Sequence, residues 1–431
     1  MIKNFDNAIE WLTTLHRFGI KLGLEQTRRL CDLCGAPDRA LRFIHLAGTN
    51  GKGSTGAMLE SALYANNMVT GFYSSPHLIS ARERFRVNGA AVSEDDFVEA
   101  AEIVRQAAEI MRRENACPTY FEATTVMAML IFKKYHCDYV VWETGMGGRL
   151  DSTNIVTPEV AVITNIALDH EKFLGSTIAE IAAEKAGIIK TDVPVVIGAM
   201  PSEAVEVIRA TAARLKATFY DSTQLNPVGE VQEQNVDYQQ FICGGESIIL
   251  ALNGVMQQRN AQIVKSVLQV LDLWNDASRR GLQNARWPAR IELLCERRFL
   301  LDGGHNPDGL NALTETLAVL YPGKKFNWIF GAFADKDYTG GLEIIAPLAK
   351  SLRAVKFAEE ARLSAEVSEI CRKALALGIS DCQPVEDLEK YLHKLALDAV
   401  PEEPVVIAGS LYLAGEVLSM LEAEEKVFYL H

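Results

Sequence analysis

The chain has 431 residues, 48% of them hydrophobic and 23% charged, and its formal net charge is −13. This length suggests two or three domains, and the acidic balance argues against nucleic-acid binding as the main function. The longest apolar runs, such as 193–197, are far shorter than the roughly 20 residues of a membrane-spanning helix, and the N-terminus lacks an apolar signal core. We therefore expect a cytoplasmic protein with no membrane or nucleic-acid partner, and we further expect it to be a monomer.

From about residue 40 to residue 215, short apolar runs alternate with helical patterns. The predicted strands are 42–46, 68–73, 139–142, 160–164 and 193–197, and the predicted helices between them include 97–113 and 124–135. Buried parallel strands typically have such runs of β-branched and aromatic residues. Strands that alternate with helices predict a parallel sheet covered on both faces.

The rest of the chain divides into three parts. Glycine turns and short alternating runs predict a small antiparallel excursion over 219–253, followed by a helix over 258–273. Residues 284–290 are typical of a linker, because Pro288 interrupts regular structure. A second α/β alternation has predicted strands at 299–301, 327–330, 354–357 and 405–408. The fold class is therefore α/β, with a large domain that has a parallel sheet and a small antiparallel excursion (1–288) and a smaller Rossmann-like α/β domain (289–431).

The eight cysteines do not form a zinc-binding pattern. Cys31 and Cys34 are the only close pair, and no second pair has zinc-ligand spacing. Because structural zinc needs four converging ligands, we expect reduced, mostly buried thiols.

A glycine-rich loop follows the first predicted strand and precedes a helix. Its residues are Gly48, Thr49, Asn50, Gly51, Lys52, Gly53, Ser54 and Thr55. Glycines let backbone N–H groups approach phosphates, and a helix N-terminus adds positive potential. Lys52 would reach the β- and γ-phosphates, with Ser54 or Thr55 close to the metal. The alternative is an ordinary tight turn, since Gly53 stands where the usual loop has Ser or Thr.

Polar residues follow two later strands. Glu143 ends an apolar strand, and the carboxyl ends of parallel strands face the ligand crevice. Magnesium prefers oxygen ligands, so the position of Glu143 at the end of this strand is enough to make it a candidate metal ligand. His170 follows the next strand, but alone it would be interpreted as a structural or surface histidine. Lys185, on a predicted helix, would alone be interpreted as an ordinary solvated lysine.

Several ordered blocks extend these motifs through the chain. Besides the phosphate loop they occupy 73–78, 83–84, 121–122, 143–151, 164–170, 184–187, 302–307, 335–337 and 409–412. With these blocks, the chain from residue 44 to at least residue 415 resembles the folylpolyglutamate synthase and dihydrofolate synthase family, within the wider Mur ligase group.

The resemblance implies an ATP-dependent ligase that joins L-glutamate to folates, and to dihydropteroate, through an acyl phosphate. It implies two magnesium ions, and it allows a monovalent cation. Ser75 and Glu143 would hold the ion that bridges the ATP phosphates, and Glu143 and His170 would help to hold the second. The family precedent also makes Lys185 a carbamate formed with carbon dioxide, and such an anion suits a site with two cations.

The resemblance assigns further residues to the substrates. Arg290 would contact an ATP phosphate, and Asn260 and Asp302 would lie near the nucleotide. The pterin side would include Arg84, Phe121 and Glu122, and the incoming amino acid would meet His305, Lys336 and Ser410. Considered alone, Phe121 is equally well explained as a core residue.

The implied chemistry depends on charge and position. Transfer of the γ-phosphoryl group turns a carboxylate into an acyl phosphate, and this transfer requires mainly positioning and charge neutralisation. The candidate catalytic residues are therefore Lys52, Lys185, His170 and Arg290. We expect the two domains to close during the reaction, because both supply contacts.

The chain departs from the family's sequence pattern at two positions, and three other functions are considered as alternatives. Met256 stands where the family has an aromatic residue or His near the nucleotide base, and Ala289 replaces a glycine usual before the linker arginine. The alternatives are a ligase acting on a peptidoglycan nucleotide precursor, a phosphate-loop kinase or switch ATPase, and a regulatory nucleotide-binding protein without turnover.

Overall fold

A computed structural model describes residues 1–15, 23–357 and 363–424. The chain divides into two compact units. The first contains Met1–Glu233, Gln240–Ala251 and Gln257–Arg286, and the second contains Gln234–Gln239, Leu252–Met256 and Trp287–His431. The two short stretches Gln234–Gln239 and Leu252–Met256 therefore belong to the second unit. The predicted division at residue 288 places both of them in the first domain.

A mixed sheet organises the first unit. Its strands are β1 (Phe43–Ala47), β2 (Thr70–Tyr73), β3 (Phe85–Val87), β4 (Ala90–Ala91), β5 (Tyr139–Glu143), β6 (Val160–Ile163), β7 (Val195–Ile197) and β8 (Phe219–Asp221). They lie in the order β4-β3-β2-β5-β1-β6-β7-β8. The six strands from β2 to β8 in this order are parallel, and β3 and β4 extend the sheet in antiparallel fashion. The predicted parallel sheet is confirmed.

Helices accompany this sheet along the chain. They are α1 (Phe5–Leu15), α2 (Glu25–Leu33), α3 (Lys52–Ala65), α4 (Glu94–Arg113), α5 (Tyr120–Lys134), α6 (Glu171–Leu174), α7 (Ile178–Ala186), α8 (Ser202–Arg214), α9 (Ser222–Leu225), α10 (Val255–Val270) and α11 (Asp276–Asn284). Short 3₁₀ helices span Pro37–Ala40, Ala81–Arg84 and Ser152–Ile155. Strands β1, β5 and β6 are buried along their whole length, as expected for a sheet covered on both faces.

Residues 219–253 fold differently from the prediction. The prediction places this whole segment in an antiparallel excursion, but β8 pairs in parallel with β7 as the edge strand of the main sheet. The excursion begins later, as a three-stranded sheet of β9 (Val228–Gln234), β10 (Gln239–Cys243) and β11 (Glu246–Leu250). Gly244 and Gly245, with φ of +53° and +76°, form the two-residue hairpin turn between β10 and β11.

The second unit has its own α/β sheet, in agreement with the prediction. Its strands are β12 (Glu292–Leu294), β13 (Phe299–Leu301), β14 (Phe326–Phe330), β15 (Ala349–Val355), β16 (Cys382–Val385) and β17 (Val405–Ala408). The order is β12-β13-β17-β14-β15-β16, and all pairs except β12–β13 are parallel. Helices α12 (Pro307–Leu320), α13 (Tyr338–Ile345), α14 (Val367–Ala376), α15 (Leu388–Leu397) and α16 (Leu411–Glu424), with the 3₁₀ helix Ala346–Leu348, complete it.

Helix α5 starts earlier than the sequence predicts. The prediction places Phe121 and Glu122 before a helix that starts at residue 124, but α5 starts at Tyr120 because Thr119 and Glu122 form a capping box.

Among the described helices, none combines the length and apolar character that crossing a membrane requires.

Candidate active site

The glycine-rich loop connects β1 to α3 at the carboxyl edge of the main sheet. Leu46 pairs with Glu143, and Ala47 pairs with Ile163, so the loops after β1, β5 and β6 begin at the same level. Gly51, with φ of +83°, is the residue before α3. A Cβ on Gly48 would overlap Thr164 Oγ1, so only glycine fits there.

The segment after β6 holds the phosphate loop in place. The backbone N–H of Thr49 donates to Asn165 O (3.1 Å), and that of Asn50 donates to Asn165 Oδ1 (2.7 Å). Thr164 Oγ1 donates to Asn50 O at 2.6 Å. Thr164 and Asn165 therefore position the loop. Neither residue is among the predicted site residues, although a position directly after a parallel strand is a signal for a functional role.

Two lysines meet at one carbonyl oxygen of the loop. Lys52 Nζ donates to Gly48 O at 3.0 Å, and Lys185 Nζ donates to the same oxygen at 2.9 Å. Glu143 Oε1 lies 4.0 Å from Lys52 Nζ. The interpretation of Lys185 as a solvated lysine is wrong, since it is 4% exposed. Burial, and then the charge of Lys52, lower the pKa of Lys185 to about 7, although Asp169 and Asp151 act in the opposite direction.

The predicted metal ligands lie at this edge of the sheet or follow its strands. Glu143 ends β5 and is buried. Tyr73 of β2 pairs with Trp142, so the turn that contains Ser75 begins near Glu143. His170, in the segment after β6, has φ of +52° and a side chain that is 46% exposed. Its backbone N–H donates to Asp169 Oδ1 at 2.9 Å.

The residues present are compatible with a nucleotide and its magnesium ions. In residues 1–15, 23–357 and 363–424, no three His, Cys, Asp or Glu side chains are arranged to hold a metal. The predicted set of Ser75, Glu143 and His170 contains only one carboxylate, so most of the oxygen ligands of a magnesium ion would come from outside this set, as phosphates can provide. Thr55 Oγ1 is buried without a hydrogen-bond partner in the described part of the chain. This hydroxyl and the Glu143 carboxylate supply the hard oxygen donors that magnesium prefers.

Helix α10 approaches the phosphate loop through amide side chains. Gln257 Nε2 donates to Ser54 Oγ at 3.3 Å, and Asn260 Nδ2 donates to Gln257 Oε1 at 2.9 Å. A Cβ on Gly51 would lie 2.6 Å from Asn260 Oδ1. Asn260 is thus adjacent to the loop. Met256 instead packs against the hydrophobic core of the second unit.

The residues predicted for the pterin side lie near the ends of β2 and β5. Arg84 Nε donates to His77 Nδ1 at 2.9 Å, and the Arg84 guanidinium lies 5.3 Å from the centre of the Tyr120 ring. The Phe121 ring is partly buried, 6.0 Å from the Tyr73 ring. The Phe121 ring also covers Gly145 in the turn after β5, where a Cβ would lie 2.5 Å from it.

Glu122 has a structural explanation for its place in this block. Its carboxylate accepts the backbone N–H of Thr119 at 2.7 Å and the hydroxyl of Thr27 at 3.3 Å. The residue is 1% exposed. These bonds close the N-terminus of α5, and a contact with substrate stays a prediction.

In the second unit, four predicted residues follow the carboxyl ends of β13, β14 and β17. Asp302 follows β13, Lys336 lies in the segment after β14, and Ser410 follows β17. The backbone N–H of Gly409 donates to Gly304 O at 2.9 Å, so Ser410 and His305 belong to adjoining turns. Their roles stay predictions.

Asp302 is used within its own unit. It is buried, and burial raises the pKa of its carboxyl group. Its two oxygens accept the backbone N–H groups of Ile291 (3.1 Å) and Gly304 (2.7 Å). The predicted contact of Asp302 with the nucleotide stays a prediction.

Arg290 lies in a bend before β12. Arg290 Nη1 donates to Ala289 O at 2.7 Å. Ala289 has φ of +55°, the left-handed conformation that glycine favours. The backbone therefore keeps a glycine-type bend despite the alanine.

Comparison with known proteins identifies the family. Residues 46–261 match the Mur ligase middle domain, and residues 289–411 match the Mur ligase glutamate ligase domain. The chain is 33% identical to a dihydrofolate synthase/folylpolyglutamate synthase of Bacillus subtilis (strain 168), over 98% of this chain and all of that protein.

Solved structures agree with this relationship. The folylpolyglutamate synthase of Mycobacterium tuberculosis complexed with ADP and AMPPCP is 29% identical, with a TM-score of 0.87 over 96% of this chain and 99% of that one. A folylpolyglutamate synthase complex with AMPPCP and folate is 30% identical, with a TM-score of 0.82 over 97% of this chain and 100% of that one. The chain belongs to the folylpolyglutamate synthase and dihydrofolate synthase family of the Mur ligases.

Proposed function

We propose that this protein is an ATP-dependent ligase that adds L-glutamate to folates, and to dihydropteroate, through an acyl phosphate. The observation that carries the proposal is the phosphate loop in which Lys52 and Lys185 share the Gly48 carbonyl beside Glu143. A relative solved with AMPPCP and folate supports the substrate class. A peptidoglycan precursor ligase and a switch ATPase have no such support.

The first chemical step makes a carboxylate reactive. A carboxylate oxygen of the folate or pteroate attacks the γ-phosphorus of ATP, the bond to the β,γ-bridging oxygen breaks, and ADP leaves. Backbone N–H groups of the loop and the α3 N-terminus hold the phosphates. Lys52 and Arg290 neutralise the charge that develops on the transferred group. Magnesium, held by Ser75, Glu143 and His170, would add further positive charge when bound.

The second step forms the amide bond. The neutral amine of glutamate attacks the acyl phosphate carbonyl, inorganic phosphate leaves, and the nitrogen releases a proton. His305, Lys336 and Ser410 would bind the incoming glutamate. A lysine and a histidine suit its carboxylates, and the serine hydroxyl can donate or accept a hydrogen bond.

Lys185 would act as a carbamate. Its neutral amine and carbon dioxide give the carbamate anion and a proton, and its lowered pKa of about 7 keeps much of the amine neutral near physiological pH. The buried anion would interact favourably with magnesium. The predicted cytoplasmic location, the monomeric state and a monovalent cation stay predictions.

We expect full ATP turnover only when both glutamate and a folate or pteroate are present. Phosphate release is to be measured with purified protein and with each component omitted in turn. Omission of the pterin substrate removes the carboxylate that attacks ATP, so release should fall to background. Full release with ATP alone would instead favour the switch ATPase.

Replacement of Phe121 by alanine should raise the KM for the pterin substrate about tenfold, because a rigid aromatic contact with the pterin ring would be lost. The KM for ATP should stay nearly unchanged. Both constants are to be determined by steady-state phosphate release. Phe5→Ala is a matched control, since Phe5 is a partly buried ring on the same core. Equal rises in the two constants for Phe121→Ala would indicate general destabilisation.

A further inference from the structure

The backbone on both sides of Arg290 is strained. Ala289 has φ of +55° and Ile291 has φ of +51°. A β-branched residue in the left-handed region is an outlier, and alanine is also unfavourable there. Such conformations persist only when the surroundings hold them in place, and they cluster at functional sites.

Two carboxylates hold this bend. The backbone N–H of Ala289 donates to Glu292 Oε2 at 2.8 Å, and that of Ile291 donates to Asp302 Oδ2 at 3.1 Å. The backbone N–H of Gly303 donates to Ala289 O at 2.8 Å. Hydrogen bonds to a charged acceptor are among the stronger ones. The bend is therefore held at each strained residue by a carboxylate.

The position of the guanidinium depends on the same bend. Arg290 Nη1 donates to Ala289 O, the oxygen that also accepts from Gly303. A Cβ on Gly303 would lie 2.5 Å from Arg290 Nη1, so the guanidinium lies directly against this glycine. A change in the Ala289 peptide would move both the backbone and the hydrogen-bond acceptor of Arg290.

We propose that Glu292 is a positioning residue for Arg290. Its carboxylate fixes the left-handed Ala289, and through Ala289 O it sets the direction of the guanidinium. The proposal rests on the proposed function, in which Arg290 contacts the transferred phosphate. This role is exerted through the Ala289 peptide and does not require Glu292 to touch the substrate. Since small displacements of a charge-neutralising group cost rate, Glu292 should affect turnover only while Arg290 is present.

The test is a double-mutant cycle between positions 290 and 292. Glu292→Met has a similar side-chain length without the oxygen acceptor, and Glu292→Gln keeps a neutral acceptor. We expect Glu292→Met to lower kcat about tenfold, with the KM for glutamate nearly unchanged. Glu292→Gln should stay within about threefold of the parent, because an amide oxygen still accepts the Ala289 N–H.

The Arg290→Ala background separates the possible outcomes. There, Glu292→Met should cause no further loss of kcat, because the group that it positions is gone. An equal tenfold loss in both backgrounds would overturn the proposal and show a purely structural role. A parental kcat for Arg290→Ala would instead contradict the proposed role of Arg290. If Glu292→Met does not fold, Glu292→Ala, which also lacks the acceptor, takes its place in both backgrounds, and an equal loss of kcat in the two would again overturn the proposal.

Discussion

Replacement of Lys52 by alanine is expected to abolish ligation, with a fall in kcat on the order of a thousandfold. Lys52 is the first residue of α3, and its Nζ lies between the Gly48 carbonyl and Glu143. In the reaction this ammonium group would neutralise the charge on the β- and γ-phosphates. The rate of product formation at saturating ATP is the measurement.

The fold of the Lys52→Ala variant should stay intact. In the parent protein the Lys52 ammonium group donates hydrogen bonds to loop carbonyls and does not pack in the core. Its loss should therefore change the thermal midpoint by only a few degrees. Lys134→Ala is the matched control, because Lys134 lies on α5, is 48% exposed and pairs with Asp96. That control should keep parental kcat. Parental kcat in Lys52→Ala as well would contradict the assignment of the phosphate loop.

Strands buried on both faces are the elements that the sequence predicts best. The bounds of β13 and β17 agree with the prediction, and β1 is displaced by one residue. Continuous apolar runs make these strands conspicuous. By contrast, β15 is predicted at 354–357 but spans Ala349–Val355, because polar Lys350 and Arg353 interrupt its apolar pattern.

Tertiary contacts explain why the site could be predicted only in part. Glycines, Lys52 and the following helix predict the phosphate loop from local chemistry. The burial of Lys185 depends on its contact with Gly48, which is 137 residues away in the chain. Similarly, the support that Thr164 and Asn165 give to the loop follows from the neighbouring positions of β1 and β6. Nothing in a helical or strand pattern specifies such contacts.

Lys185→Ala should be nearly inactive, with kcat reduced on the order of a hundredfold or more. The variant removes the amine that would carry the carbamate beside the phosphate loop. Acetate or formate should restore part of the activity, because a small carboxylate can enter the space left by alanine and replace the lost negative charge. Initial rates with and without each acid are the measurement. Lys190→Ala is the control, since Lys190 is a partly buried lysine close in sequence to Lys185, with its Nζ 3.0 Å from Asn154 O. Acid should not stimulate that variant.

The lowered pKa of Lys185 also predicts a pH dependence. The folded-state pKa of Lys185 is about 7, whereas the unfolded lysine has its ordinary pKa of about 10.4. Between these values the unfolded chain binds the additional proton, so this residue makes the free energy of unfolding rise with pH across that window. Lys185→Met should reduce this rise, as measured by denaturant unfolding at several pH values. An unchanged slope would mean that Lys185 is charged in the folded protein.

Detection of the carbamate itself decides the Lys185 hypothesis. In protein supplied with bicarbonate, magnesium and nucleotide, we expect Lys185 to carry the added mass of one carbon dioxide, and electron density should extend beyond Nζ. Above pH 7 the amine is mostly neutral and can attack carbon dioxide, and the product anion would be stabilised by the nearby cations. Below pH 7 the ammonium form cannot react, so both the modification and bicarbonate-dependent activity should decline together. An unmodified, well-ordered Lys185 in crystals shown to be active would refute the carbamate and leave the ligase assignment standing, because that assignment depends on the phosphate loop and on the family.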